Sequence, residues 1–497
     1  MKRLLLAVCG VLGIGAAQAQ KPGGVLRMYV PDSPASMSIH EEATGYSQGP
    51  MMGVFNNLVM FDQSVAQGTM DTIVPDLALS WSWNADGTVL TLPLRQGVTW
   101  HDGRAFTARD VECTFNLLLE KGPEKLRVNP RRSSYRNLDR VSVEGDHQVS
   151  FHLLRPQPSF PMTLATGFTP IYPCHVPPAQ MRRAPIGTGP FRFVAFQPNE
   201  SIRVARNPTY WKPGRPWLDG IDYTIIRNSA TATLAFVSGK VDMTFPFDVT
   251  VPILRDIKSQ LADAVCVMTP SGGVNRHMLI NRRQAPFDRS EVRRAMALAL
   301  DRQAFVDIVS EGEGDIGGVL QPPPGGAWGL SAEEIRALPG YGADVAANRA
   351  EGRRIMEAAG YNAGNRLKLK ITTRDIPSYR IPAVILIDQL KEIHIDAELE
   401  PIDTALYFPR MIRKEFAVSL NLQTSGPDPD PVLDLFYGCG SSLNLDGYCD
   451  AETDRLIEAQ SREADPLKRR LHLREIERRL AEDGGRPILF YSRGATC

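Results

Sequence analysis

Between residues 88 and 95 the chain alternates strictly. Leu90, Leu92 and Leu94 fall on one side, Thr91, Pro93 and Arg95 on the other. A period of two predicts a strand with one face in a core. Asn84, Asp86 and Gly87 supply a turn before it. Pro93 has no N–H to give to a ladder, which predicts an edge strand or a bulge. Asp102 and Gly103 form a second turn, and Thr107 with Asp110 fits a capping box. The helix it opens carries Val111, Phe115, Leu118 and Leu119, with Gly122 closing it.

The same patterning continues downstream. Residues 185–190, PIGTGP, read as a tight turn followed by two antiparallel strands around Pro198 and Asn199. The GTG within it is too short a signal for phosphate binding. Asp288 to Glu291 can cap a helix whose Val292, Ala295, Met296, Ala299 and Leu300 share one face. Residues 367–431 give the clearest order: strand, helix from Ser378 to Ile393, strand, helix from Thr404 to Lys414, strand. This β-α-β-α-β succession predicts a parallel sheet with right-handed crossovers. Asp465 and Pro466 start a late helix with Leu467, Leu471 and Leu480 inward, ended by Gly484 and Gly485.

Ligands of open parallel sheets bind beyond the carboxyl ends of the strands. Three loops qualify. One carries Thr373, Arg374 and Asp375, a second Asp403 and Thr404, and a third runs from Thr424 through Ser425 and Asp428 to Asp430. A guanidinium and several carboxylates in one cleft suit a zwitterionic or polar ligand. The competing reading pairs Arg374 with Asp375 at the surface and gives Asp428 and Asp430 to a Pro-rich turn.

Length and composition narrow the function classes. The chain has 497 residues, enough for two or three lobes. Residues 1–19 read as a secretory signal peptide: Lys2 and Arg3, an apolar run from Leu4 to Ala17, then Ala17-Gln18-Ala19 with cleavage before Gln20. Losing Lys2 and Arg3 takes the formal charge from 0 to −2, and the charges are well mixed. Nothing there favours nucleic acid. No later segment approaches the ~18 apolar residues that a membrane span requires. These features predict a periplasmic protein. Of seven cysteines, Cys9 leaves with the signal peptide. Cys439 and Cys449 bracket a Gly/Ser/Asn-rich loop and fit either a disulfide or two buried thiols. The sequence lacks the G-x-S-x-G, H-E-x-x-H and paired C-x-x-C motifs, and His40-Glu41-Glu42 lacks a second histidine. No metal or cofactor is expected. A hydrolase with a dispersed site is the remaining enzyme alternative.

The wording of several blocks adds a family likeness. Residues 75–111, the VFNNLVMFD block, PIGTGPFRFVAF with RNPTYW, LINRRQAPFDRSEVRRAMALALDR and the DPDP loop with NLDGYCDAETDRLI occur in one order. Together they resemble the extracytoplasmic solute-binding proteins of family 5, the dipeptide and oligopeptide type that serve ABC importers. The resemblance implies an α/β, two-lobed periplasmic binding protein of type II, with mixed sheets flanked by helices, an extra subdomain in the first lobe and a two-strand hinge. Lobe one is expected over residues 20–280, lobe two over 281–487, and the chain returns to lobe one over 488–497. By this likeness the return is short, as if the closing segment were truncated at Cys497. A monomer is expected to hold a peptide-like ligand between its lobes and deliver it to an ABC permease and its ATPase. An oligosaccharide, opine, haem or metal chelate is the alternative cargo. The arginine that holds a peptide carboxylate in dipeptide-type members falls at or beside Arg374. The aspartate that holds the ammonium falls near Ser425, which is not an acid, unless Asp428 replaces it. Trp328 is expected to stack on a sugar or to fill the hinge region.

Overall fold

The computed structural model describes residues 22–65, 68–268, 274–322, 328–424, 426 and 428–497. Three sheets organise it. The first has strands Val25–Val30, Gly220–Ile225, Ser201–Arg206 and Phe191–Gln197 in that spatial order. Its first pair is parallel and the rest antiparallel. The second, a four-stranded antiparallel sheet, contains Val89–Pro93 and forms a separate subdomain with its own core around Trp100, Phe115 and Phe151. The third has six strands and includes Val274–Ile280, Leu367–Arg374, Ile395–Ile402, Val418–Thr424 and Ile488–Ser492.

The alternating segment behaves as its period requires: Leu90, Leu92 and Leu94 are buried. Pro93 sits on an inner strand rather than an edge, because Val89–Pro93 lies between two neighbours. The outer neighbour, Ser82–Trp83, pairs only with Thr91 and Leu90, so no ladder asks Pro93 for a hydrogen. The Thr107/Asp110 capping box is formed, and Asp110 also accepts from the Trp100 indole and the Cys174 amide. This helix ends at Leu118, and Glu120, with φ of 58°, takes the left-handed turn expected of Gly122. In the GTG segment the glycines serve close approach. A Cβ on Gly187 or Gly189 would collide with the Val54 carbonyl.

The strands at 367–374, 395–402 and 418–424 are parallel, as their alternation with helices predicts. Val292, Ala295, Met296, Ala299 and Leu300 are all buried, but Arg289, not Asp288, holds the N-cap position of that helix. Asp465 caps Pro466–Asp483 and Gly484 ends it in the left-handed region. Leu467 and Leu471 on this helix are exposed, and the inward positions are Leu473, Ile476 and Leu480. Of the three expected inward leucines only Leu480 faces the core, because the buried stripe of this helix passes through Leu473 and Ile476.

Val274–Ile280 and Ile488–Ser492 both belong to the six-stranded sheet. The strands Val267–Met268 and Ala495–Thr496 pair with each other on the first-lobe side. A period of two shows that a segment is a strand, not which sheet it joins.

The six cysteines among the described residues are all paired: Cys113 with Cys174, Cys266 with Cys497, and Cys439 with Cys449.

Candidate functional site

The carboxyl ends of two sheets face one another. In the first lobe Val25–Val30 and Gly220–Ile225 run parallel, so Asp32 and Arg227 emerge at the same edge. In the second lobe Leu367–Arg374 and Val418–Thr424 run parallel, and Arg374 and Thr424 end them. The two edges meet in a polar seam. Arg374 Nη2 lies 3.2 Å from Asp32 Oδ2. Its Nε and Nη2 donate to Thr404 Oγ1 at 3.0 and 2.9 Å, and Nη1 reaches the Tyr379 hydroxyl at 3.5 Å. Thr404 in turn donates to Asp32. The rings of Tyr46, Tyr379 and Phe408 surround the guanidinium, their centroids 4.9, 5.0 and 5.4 Å from its carbon.

Arg374 is 97% buried, being 3% exposed. Burial works against its charge, but the Tyr379 and Tyr46 oxygens and Asp32 outweigh it and hold the guanidinium protonated. Arg227 extends the seam by pairing with Asp32 at 2.8 Å and with Asp403 at 3.0 Å. Arg276, on a crossing strand, is fully buried near Tyr379 and Tyr46, and burial lowers it to about 10.

The candidates named from the sequence are not brought together. Arg374 and Asp403 lie in the seam, each with a first-lobe partner. Asp403 also caps the helix Thr404–Ile412. Asp375 pairs at the surface with Arg380, not with Arg374. Thr424 is exposed at its strand end, and Ser425 lies outside the described residues. Asp428 is buried in a two-point ion pair with Arg469, at 2.5 and 2.7 Å. Arg469 stacks over Trp328 at 4.6 Å, so Trp328 and Asp428 form one structural stack. Asp430 bridges the subdomain and the second lobe, accepting from Gln157, Ser159, Gln460 and Ser461.

Beside Asp430 the two parts enclose a cavity of about 430 Å³, lined among others by Arg136, Asn137, Arg155, Asp434 and Glu458. Arg136 and Asp434 face each other across it at 3.3 Å. Burial pushes the Asp434 carboxyl up to about 6, with Arg136 pulling the other way.

Asp32, Arg227, Arg136 and Gln157 were not singled out from the sequence. A signal for the first two existed: they follow the parallel strands of lobe one, and the strand-end rule applies there as it does in lobe two. Arg136 and Gln157 carry no local mark. Among the described residues, no cluster of His, Cys, Asp and Glu is arranged to hold a metal ion. His40 hydrogen-bonds the Pro170 carbonyl, and burial lowers it to about 3. No helix of the described residues is long and apolar enough to cross a membrane.

Comparison with known proteins accords with this geometry. The chain is 28% identical over 467 residues to a di/tripeptide-binding protein of Pseudomonas aeruginosa, covering 88% of this chain and 84% of the relative. Its fold matches the oligopeptide-binding protein AppA of Bacillus subtilis, solved with a nonapeptide, at a TM-score of 0.83 and 21% identity, over 96% of this chain and 94% of that one. The agropinic acid complex of AgaA from A. tumefaciens matches at 0.80 and 21%, over 95% and 93%. The fold shared with the two solved proteins extends over nearly the whole chain. The model of the bacterial extracellular solute-binding proteins, family 5, matches residues 72–444. With two sheets meeting at their carboxyl edges and a family match over most of its length, the chain belongs to the bacterial extracellular solute-binding proteins of family 5.

Proposed function

We propose that this protein captures a peptide-like solute between its lobes and hands it, chemically unchanged, to an ABC permease and its ATPase at the inner membrane. It works in the periplasm as a monomer after removal of residues 1–19. Lobe one comprises residues 20–268 with the closing 495–497, and lobe two comprises 274–492.

The observation that carries this reading is the chemistry at one edge of the six-stranded sheet. Thr373 Oγ1, Gln423 Nε2 and Asn275 Nδ2 are buried and make no hydrogen bond to the protein. Asn275 pairs with Gln423 at that edge and shares a face with it, while Thr373, level with Leu420 and just before Arg374, lies on the other face. A buried polar atom without a partner costs about 1–3 kcal/mol. An extended peptide presents amide N–H and C=O groups at strand spacing and satisfies such neutral atoms without demanding one side chain. The relatives named for di- and tripeptides and for a nonapeptide complex support the same cargo class.

Mass spectrometry of small molecules released from protein purified after export tests the reading. Peptides are expected. A bound sugar, opine or metal chelate would overturn the cargo class. Adding the recovered solute at a hundredfold excess over Kd should stabilise the fold by about 2.7 kcal/mol.

A further inference from the structure

Arg374 already has a carboxylate. In the closed arrangement the guanidinium meets Asp32 from the opposite lobe, Thr404 and Tyr379, and aromatic rings surround it. Asp32 is itself 1% exposed and shared between Arg374 and Arg227. We propose that Asp32 is a specificity-determining residue: it fills the carboxylate site of Arg374 when the lobes close, so that this chain selects ligands that bring no carboxylate to Arg374.

The argument is electrostatic. Asp32 and Arg374 sit on different lobes, 342 positions apart in sequence, so opening the cleft separates and hydrates both. Closing desolvates them together, and each supplies the charge the other needs. A ligand carboxylate arriving at Arg374 would have to displace Asp32. Asp32 would then stay buried with the half-exposed Arg227 as its one remaining cation, beside the Thr404 hydroxyl and the Ser33 amide, and a buried charge that has lost an ionic partner is penalised. The aromatic walls add to this selection. The Tyr46 and Phe408 rings lie 4.9 and 5.4 Å from the guanidinium carbon, leaving little room for a further anion. Closure is therefore rewarded by a contact within the protein, and ligand recognition falls to the neutral groups at the sheet edge. The cargo-class statement rests on the peptide reading given above; the filling of the Arg374 site by Asp32 does not.

Chemical rescue tests the filled site without any peptide. In Asp32→Ala the carboxylate is removed and a small anion can replace it. Thermal unfolding of the wild type and of Asp32→Ala is compared in acetate and in chloride at equal ionic strength. Acetate should raise the Tm of the variant by about 2 °C over chloride and leave the wild type unchanged. If Asp32→Ala does not fold in chloride, the same comparison is made as the yield on refolding in acetate. No acetate effect on the variant, or an equal effect on the wild type, would overturn the proposal.

The selectivity arm uses a tripeptide with a free carboxyl terminus and its C-terminal amide. The wild type should bind the two within about threefold, and Asp32→Ala should prefer the acid by about tenfold or more, one decade being ~1.4 kcal/mol. A wild-type preference for the acid of that size, erased by Arg374→Gln, would show that Arg374 serves the ligand and sink the idea. If neither peptide binds either protein, the peptide reading fails, while the acetate comparison still decides whether Asp32 fills the site.

Discussion

Gln157 Nε2 donates to Asp430 Oδ2 over 2.8 Å, joining the subdomain of the first lobe to the second lobe across 273 positions of sequence. Asp430 is the acceptor for four side chains, and its neighbours Ser159, Gln460 and Ser461 are likewise buried. Asp430→Ala leaves those donors unpaired. It should destabilise the protein by about 3 kcal/mol, read by chemical unfolding. Gln157→Ala removes this inter-lobe bond and the one that Asn137 Nδ2 gives to Gln157 Oε1, and should cost about 1–2 kcal/mol. Equal losses in the two variants would show that Asp430 has no role beyond that single contact.

Asp428 is a structural ion, by its pairing with Arg469 beneath Trp328. Asp428→Ala strands a buried guanidinium and should lose about 3–5 kcal/mol of stability. Ligand affinity of the surviving folded fraction should stay within about twofold, a difference of ~0.4 kcal/mol. A large drop in calorimetric affinity at unchanged stability would instead make Asp428 a ligand group.

Glu477 gives the fold a pH dependence. Burial raises its carboxyl to about 8, while amides such as that of Leu320, 2.9 Å from Oε1, pull the other way. A carboxyl whose folded pKa exceeds its unfolded value contributes stability that is complete below about 4.5 and is lost as pH rises through about 8. Glu477→Gln keeps an acceptor for Leu320 and cannot ionise. Wild type and variant should therefore be similarly stable near pH 4, and the variant should become progressively the more stable above that, by about 4–5 kcal/mol near pH 9. Parallel stability curves for the two proteins would contradict this.

Cys266 and Cys497 flank the paired strands Val267–Met268 and Ala495–Thr496 and join them at one end. The bridge spans 231 positions, and a closed loop of that length is worth about 5–6 kcal/mol in the chain-entropy description. Cys266→Ser with Cys497→Ser should lower the Tm markedly under oxidising conditions. A reductant should then have a smaller effect on the double variant than on the wild type. If reduction lowers the Tm equally in both, the other two bridges carry the stabilisation.

Gly187 packs against the Val54 carbonyl with no room for a Cβ. Gly187→Ala should destabilise by about 3 kcal/mol or abolish folding, whereas Gly97→Ala, with open space but a φ of 75°, should cost only about 1 kcal/mol. Similar losses at the two sites would remove close approach as the reason for the glycine.

The sequence by itself determined the elements and their kind. Alternation at Leu90, Leu92 and Leu94, the Thr107/Asp110 capping box and the β-α-β order after Leu367 are local, because hydrogen bonding along a strand or helix imposes its period on neighbouring residues. It also pointed to the strand ends near Arg374 and Asp403. What it left open is what those side chains touch. Asp32 meets Arg374 and Gln157 meets Asp430 because parts far apart in the chain pack together, Cys266 meets Cys497 because two distant strands pair in one small sheet, and no periodicity encodes either kind of contact. The same holds for Asp428: as a residue in a Pro-rich loop it looks available, and only the arrival of Arg469 from a late helix neutralises it. Local pattern decides where a polar group is placed. Tertiary packing decides whether that group is spent within the protein or left to a ligand.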